Sequence, residues 1–564
     1  MWRWACVLGG VVCGAWGCAG ASQEESAPRQ PPVWVVEKER RAEYEVWVEP
    51  GAAVVELSLK GAVPDPLPLG ALEGPEGWPK LSHLYDVQAR TQEGARLDVS
   101  REEGRWVVSG AAGRPYVVRW LVVDQRPELA PSEGWPGRDL RVPYTAQENF
   151  MAWGRGVLLA PQGEAAKGWD VIQAEVHAPK NWPITTSWGR PSARVQGFEE
   201  LGRALWCAGP GWRVSQQDAG GTLVQVAALG EFDEGPWASV VRRMLVAQNE
   251  MFGRYPVDAM LVVLAPGPAA SMLEGGALGL AVPTELGPKD PTFAEPLAEL
   301  LARRWFGQAL QPKDPRAERW FVEGFSAYYA TRTLLATGLM DGKSFRDRAN
   351  NLMRLFVTHP LAGMSGRAEL AQSLDPRYQS IARWKGWLLA CLFDMELRGG
   401  SQGAKTLDHY VRRLGLDAAP EGFGVAELRQ KLDALSGGSW GEFFERHIEG
   451  SEPLPLERLD QGGLVMAKTG FPIFHVGFEA QSEGFVNVRI TRVLPRSQAA
   501  QVGVQEGDKV ESIQIGASME QPVKLTVRRE GASGLIQFEY FPIWEVELPL
   551  VGETTALFDE WFRP

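Results

Sequence analysis

The stretch "ELLARRWFGQ", residues 299–308, decides how the chain is read. It continues the apolar segment from Phe293, and Glu299 and Arg303 stand four apart in the order that favours a helical ion pair. A second segment, "ERWFVEGFSAYYA" at 318–330, follows after a Pro-containing break. The spacing predicts helices over 293–308 and 317–337.

Outward from these helices the pattern changes twice. Residues 343–358, 380–398, 404–415, 425–436 and 440–449 also read as helices, preceded by "FDEGPWASVVRRMLVAQNEMFGRYP" with its helical repeat and by the buried strand "AMLVVLA". Between Val33 and Gly230 the runs "VWVVE", "AVVELSLKG", "RWVVSG" and "PYVVRWLVV" are β-branched or alternating and lie between Gly and Pro, which predicts an all-β domain with its tryptophans in the core. The last hundred residues return to strands.

At 564 residues the chain exceeds one hydrophobic core, so several domains are expected. Its 45% hydrophobic and 23% charged residues are those of a folding chain. A net charge of -12 without a long basic run argues against nucleic acid as a partner. The leader "MWRWACVLGGVVCGAWGCAGASQEES" has an early Arg, a short apolar stretch and small residues before polar sequence, which is the pattern of an export signal. "AWGC" followed by Ala19 and Gly20 resembles a bacterial lipobox, although the usual Leu is Ala15. That resemblance implies lipidation of Cys18 and a membrane-anchored protein of the cell envelope. Simple cleavage, giving a periplasmic or secreted protein, is the alternative. Outside the leader only Cys207 and Cys391 remain, read as two buried free thiols.

The segment "VNVRITRVLPRSQAAQVGVQEGDKVESIQIG" resembles a PDZ domain through Ser497, Ala499, Ala500, Gly503, Val504, Gly507, Asp508 and Val510. The resemblance implies capture of a peptide or protein C-terminus at a sheet edge, with Val476, Gly477 and Phe478 as binding candidates. The two helices of the opening stretch resemble a zinc-peptidase frame of the gluzincin type, with Trp-Phe-Gly closing one helix and Trp-x-x-Glu-Gly-Phe on the next. "RWVVSG", "HAPKNWPITTSW", "FGRYP", "ARWKGWLLACLFDMELR" and "LSGGSWGEFFERHIEGSEPLPLERL" extend the likeness, and the whole chain resembles the glycyl aminopeptidase family.

That resemblance implies a multidomain α+β chain. A signal peptide at 1–18 and a flexible tether at 19–32 precede an N-terminal β domain at 33–230. A mainly helical, thermolysin-like peptidase domain at 231–458, a PDZ domain at 459–548 and a C-terminal tail at 549–564 complete it. Zinc is the expected cofactor of the family. The positions of the two zinc-binding His and of the catalytic Glu are here Glu299, Arg303 and Leu300, and Glu323, one residue further along than expected, remains as the third ligand. The family geometry implies that Arg303 faces the helix bearing Glu323, so its guanidinium is expected to replace the ion by pairing with Glu323 and Glu299. The position of the Glu that holds a substrate amine is Leu278 in "GGALG", and Arg383-Trp384 stand where a Tyr is usual. The six His, at 83, 177, 359, 409, 447 and 475, include no pair four apart. The sequence therefore predicts a lost zinc site, no cofactor and a non-catalytic pseudopeptidase. A structural subunit beside an active relative, and an enzyme using Glu295, Glu299 and Glu323 for a harder metal, are the other readings.

Overall fold

The computed structural model describes residues 39–72, 84–123, 141, 143–145, 148–253, 256–267, 270–359, 361–372, 376–416, 422–483, 487–516 and 518–562. The expected leader, the tether and Cys18 lie outside them. Among the described residues no helix is long and apolar enough to cross a membrane.

The N-terminal region is built of strands whose inward residues alternate, as in Arg41–Glu49, where Ala42, Tyr44, Val46 and Val48 are buried. That strand pairs antiparallel with Ala52–Lys60 and parallel with Val171–His177 inside a six-stranded sheet. A four-stranded sheet, Asp98–Glu102, Arg105–Ser109, Leu67–Ala71 and Leu159–Pro161, shares its core. Trp106, Trp120 and Trp206 fill that core, and the Trp120 indole donates to the Val157 carbonyl at 2.8 Å.

The boundary expected at residue 230 falls inside a sheet. Strands Trp212–Asp218 and Leu223–Leu229 belong with Ala259–Pro266, Ala277–Val282 and the edge strand Ala270–Glu274 in one five-stranded sheet. Leu223–Leu229 runs parallel to Ala259–Pro266, and the helix α1, Glu234–Phe252, makes the crossover that parallel strands require. Strand periodicity identifies a strand but not its partner, so the sequence assigned these two to the wrong neighbour. Cys207 and Cys391 are buried and unpaired.

Six more helices of ten or more residues follow: α2 Pro291–Ala302, α3 Arg319–Ala336, α4 Gly342–Val357, α5 Pro376–Ser401, α6 Leu407–Leu416 and α7 Val425–Ser436. The helix expected over 293–308 stops at Ala302 instead. Trp305 and Phe306 turn inward onto Phe252, with ring centroids 5.1 and 5.6 Å away, and Gly307 takes a left-handed φ of 97° that ends any continuation. The segment expected as a helix over 440–449 is a single α-turn, Gly441–Phe444, continued by a wider π-type turn to Glu449.

Helices α3 and α5 cross in direct backbone contact. A Cβ placed on Gly324 would lie 2.2 Å from the Gly386 Cα, and one on Gly386 would lie 1.8 Å from the Trp320 carbonyl oxygen. Only glycine fits at this crossing, and the approach brings Glu323 and Arg383 to the same side of the bundle.

After the bundle, Leu464–Phe474 and Ile543–Thr554 form an antiparallel ribbon. Between them lies a five-stranded antiparallel sheet with a short helix, Gln498–Gln501, capped by the Ser497 hydroxyl, which accepts from the Ala500 N–H at 3.1 Å. The tail expected at 549–564 is no separate tail. Asn350 exchanges two hydrogen bonds with the Val551 backbone, and Phe558 and Phe562 of the C-terminal helix Ala556–Phe562 are buried in the core of the helical bundle. The Arg332 and Arg398 guanidiniums lie over the Phe562 ring at 4.8 and 4.6 Å.

Replacing Gly386 with Ala is expected to remove about 3 kcal/mol of stability, since the added methyl meets backbone and not a movable side chain. Urea unfolding followed by circular dichroism checks this, and an unchanged midpoint would contradict the tight crossing.

Candidate functional site

Asp290 starts α2 by accepting the Thr292 N–H at 2.9 Å, and Pro291 occupies the first turn, where its missing N–H is harmless. One face of this helix carries Glu295 and Glu299. Arg303 caps its C-terminus, donating its N–H to the Glu299 carbonyl at 2.9 Å.

Glu299 is 7% exposed, and both of its carboxylate oxygens are taken. Arg383 of α5 grips it in fork geometry, with Nε 3.2 Å from Oε1 and Nη2 on Oε2, while Arg303 Nη2 reaches Oε1 at 3.2 Å. The same Arg303 nitrogen donates to Glu323 Oε2 on α3. Arg348 of α4 lies against Glu295, and Arg383 Nη2 is 3.9 Å from it. Three carboxylates and three guanidiniums from four helices thus form one neutral cluster.

The charges decide the protonation states. Burial would raise the Glu299 carboxyl pKa, but the hydrogen bonds and charge of Arg383, with Arg303, outweigh burial and hold it below its ordinary value. At Glu295 burial prevails over Arg348 and Arg383, and the carboxyl moves up. Burial pulls Arg383 down, yet the carboxylates, Glu299 above all, more than reverse it. Arg348, with Glu295 as its nearest carboxylate, is lowered by burial.

The cluster borders a cleft of about 820 Å³ whose walls include Leu300, Ser271, Leu273 and Val322. It shares Leu273, Gly307 and Gln308 as a common wall with a chamber of about 790 Å³ against the N-terminal domain. The Gly275-Gly276 turn joins the edge strand Ala270–Glu274 to Ala277–Val282 at the chamber wall. A Cβ on Gly275 would lie 3.0 Å from Arg203, and one on Gly276 would lie 2.7 Å from the Ala259 carbonyl.

The structure brings Glu299, Leu300, Arg303 and Glu323 together, and Arg383 with them. Leu278 does not join them: it lies fully buried in a strand covered by the edge strand, so it faces core and not cleft. Arg348, Arg155 and Glu274 were not singled out by the sequence. Arg348 is 53 positions from Glu295 and Arg155 is 119 from Glu274, and no local spacing announces either pairing.

Zinc requires deprotonated ligands with free lone pairs. Here both carboxylates at the matching positions are held by guanidiniums, and the Arg303 charge stands between them. Among the described residues no group of three or more His, Cys, Asp or Glu is placed to hold a metal.

In the C-terminal sheet, Val476, Gly477 and Phe478 are engaged within the protein. The Gly477 N–H donates to His475 Nδ1 at 2.8 Å, its carbonyl accepts from the Ser497 hydroxyl at 3.1 Å, and the Val476 carbonyl accepts from Tyr540 at 2.7 Å. The Phe478 side chain is buried in the sheet's core. Strands Lys509–Gln514 and Val523–Arg528 pair directly, and among the described residues no helix lies between them.

Replacing Glu299 with Gln leaves Arg303 and Arg383 without their shared anion and is expected to cost about 2–4 kcal/mol, toward the lower end because both arginines reach solvent. The sign with pH follows from the lowered carboxyl: the stabilisation is complete above its ordinary value of 4.5 and is lost as pH falls through the lower folded value. Denaturant midpoints of wild type and E299Q should therefore differ at neutral pH and converge in acid.

No family model matches the sequence, and no curated protein matches it. Among solved structures, an aminopeptidase N family protein from Idiomarina loihiensis aligns with a TM-score of 0.65 at 16% identity, over 93% of this chain and 100% of that one. An M1 zinc metallopeptidase from Deinococcus radiodurans aligns with a TM-score of 0.43 at 17% identity, over 74% of this chain and 95% of that one. Yeast LTA4 hydrolase aligns with a TM-score of 0.40 at 13% identity, over 76% and 72%. The first of these likenesses shows the fold: a strand-rich N-terminal region, a helical middle and a C-terminal portion arranged as in that aminopeptidase N family protein.

Proposed function

We propose that this chain is a peptidase-like protein that binds a peptide or protein segment in its cleft without hydrolysing it. The observation that carries the reading is the commitment of Glu299 and Glu323 to Arg303 and Arg383. A metal-activated water would need those oxygens, and a dication beside Arg303 would be repelled. Leu300 lines the cleft where the family resemblance implies a general base, and an aliphatic side chain moves no proton. The cleft itself is kept, at a volume suited to several residues of peptide. The alternative, an active metallo-aminopeptidase built on Glu295, Glu299 and Glu323, is opposed by the arginine beside each carboxylate.

In this reading the protein acts in the bacterial cell envelope, anchored through a lipidated Cys18, with a PDZ-like C-terminal sheet that adds a partner's C-terminus as a strand. The leader sequence supports the first part and the Ser497–Val510 signature the second. The internal bonding of Val476 and Gly477 supports the cleft, ahead of the sheet edge, as the primary binding surface.

Purified protein is expected to carry no stoichiometric metal and to leave glycyl and alanyl p-nitroanilides intact. Elemental analysis with a chromogenic assay checks both, and stoichiometric zinc with chelator-sensitive turnover would overturn the reading. Cys18→Ser is expected to move the protein from the membrane fraction to the soluble one, as read by fractionation and immunoblot.

A further inference from the structure

The cleft's inner chamber contains a second buried ion pair, which the lost zinc chemistry does not explain. Arg155 sits in the short helix Gly154–Val157 with its side chain 3% exposed. A Cβ on Gly202 would come within 3.0 Å of the Arg155 Cγ, so the glycine leaves the passage this side chain occupies. Its Nε donates to Glu274 Oε2 at 3.1 Å, at the end of the edge strand. Its Nη2 is 3.7 Å from Glu199, a carboxylate already held by Arg203. Its Nη1 is buried and has no hydrogen-bond partner among the described residues. A buried guanidinium N–H without an acceptor is costly, and Arg155 is among the residues that line the chamber of about 790 Å³.

The surrounding charge has the same sign. Burial pushes the Glu274 carboxyl up more strongly than Arg155 pulls it down, which weakens the nearest anion. Glu199 is two-thirds exposed and screened by solvent. The adjoining chamber of about 450 Å³, reached past Gly275 and Gln308, is walled by Arg190, Arg194, Arg203 and Arg304 against Glu200 and Asp258. In a chain of net charge -12 this is a locally basic recess, which concentrates anions.

We propose that the inner chamber of the cleft accepts a carboxylate of the bound peptide, with the Arg155 guanidinium, whose Nη1 is unpaired among the described residues, as its anchor. This deepens the peptide-binding reading and rests on it. The ligand is an acidic peptide, and its carboxylate comes from an Asp or Glu side chain or from a free C-terminus. A charge-assisted bond to a buried guanidinium discriminates by roughly tenfold or more against a neutral amide of the same shape.

The test is isothermal titration of the purified full-length protein with three probes: acetyl-Ala-Gln-Ala-amide, acetyl-Ala-Glu-Ala-amide and acetyl-Ala-Gln-Ala free acid. One or both acidic probes are expected to bind about tenfold tighter than the neutral one, and the arm that does so names the source of the carboxylate. The preference should vanish in Arg155→Met. Because that substitution strands Glu274, the double variant Arg155→Met with Glu274→Gln is measured beside it, and the preference should vanish there too. Equal binding of all three probes overturns the proposal and leaves the peptide-binding reading standing. A preference that persists in both variants overturns the assignment to Arg155. Binding of none overturns the peptide-binding reading and this proposal with it.

Discussion

A carboxylate that folding removes from water must find positive charge, and at Glu299 this requirement organises the centre of the molecule. The side chain shares its helix face with Glu295 and is almost wholly buried at the cleft wall. Two guanidiniums meet it from different directions: Arg303 from the end of its own helix and Arg383 from α5. Arg303 then continues to Glu323 on α3, and Arg348 of α4 matches Glu295 one turn away. Four helices are held in register by charge balance and not by apolar packing alone. The glycine crossing at 324 and 386 makes this possible, because α3 and α5 could not otherwise bring their charged residues within reach.

The same matching recurs in the inner chamber, where Arg155 faces Glu274. In both places the anion lies at the cleft wall and an arginine has been placed on it. A wall that would attract cations is thereby made neutral at one end and basic at the other. Arginine suits this task better than lysine, since its planar fork can take both oxygens of a carboxylate, as Arg383 does at Glu299, and it stays charged when buried. The cleft needs three units to exist: the N-terminal domain gives Arg155, the strand pair with its Gly275-Gly276 turn gives one wall, and the helices give the other.

Much of this was legible in the chain. The i,i+4 placement of Glu299 and Arg303, and the second helix carrying Glu323, are local patterns that survive into the structure because helical geometry fixes which residues share a face. Helices α3, α4 and α7 fall within a residue or two of their expected positions for the same reason. The first helix ended early because Trp305 and Phe306 are drawn into a core that its own sequence does not describe. Strands Trp212–Asp218 and Leu223–Leu229 fell inside the expected β domain but belong to the sheet of Ala259–Pro266, and the tail past residue 549 is buried through aromatic residues such as Phe558, which packs on Phe345 of α4. Arg383 was noticed only as a replacement for a phenol, and its grip on Glu299 spans 84 positions.

The sequence by itself determined the order of strand-rich and helical regions, the absence of an imidazole pair four apart, and the local pairing of Glu299 with Arg303, since each depends on residue type and short-range periodicity. Tertiary structure alone decided that Arg383 completes the Glu299 site, that Arg348 answers Glu295, that Leu278 is core, and that Arg155 pairs with Glu274 at the chamber wall. The physical reason is distance along the chain. Burial and electrostatic partnership are properties of space, and no pattern along the sequence records which distant side chains folding will place together.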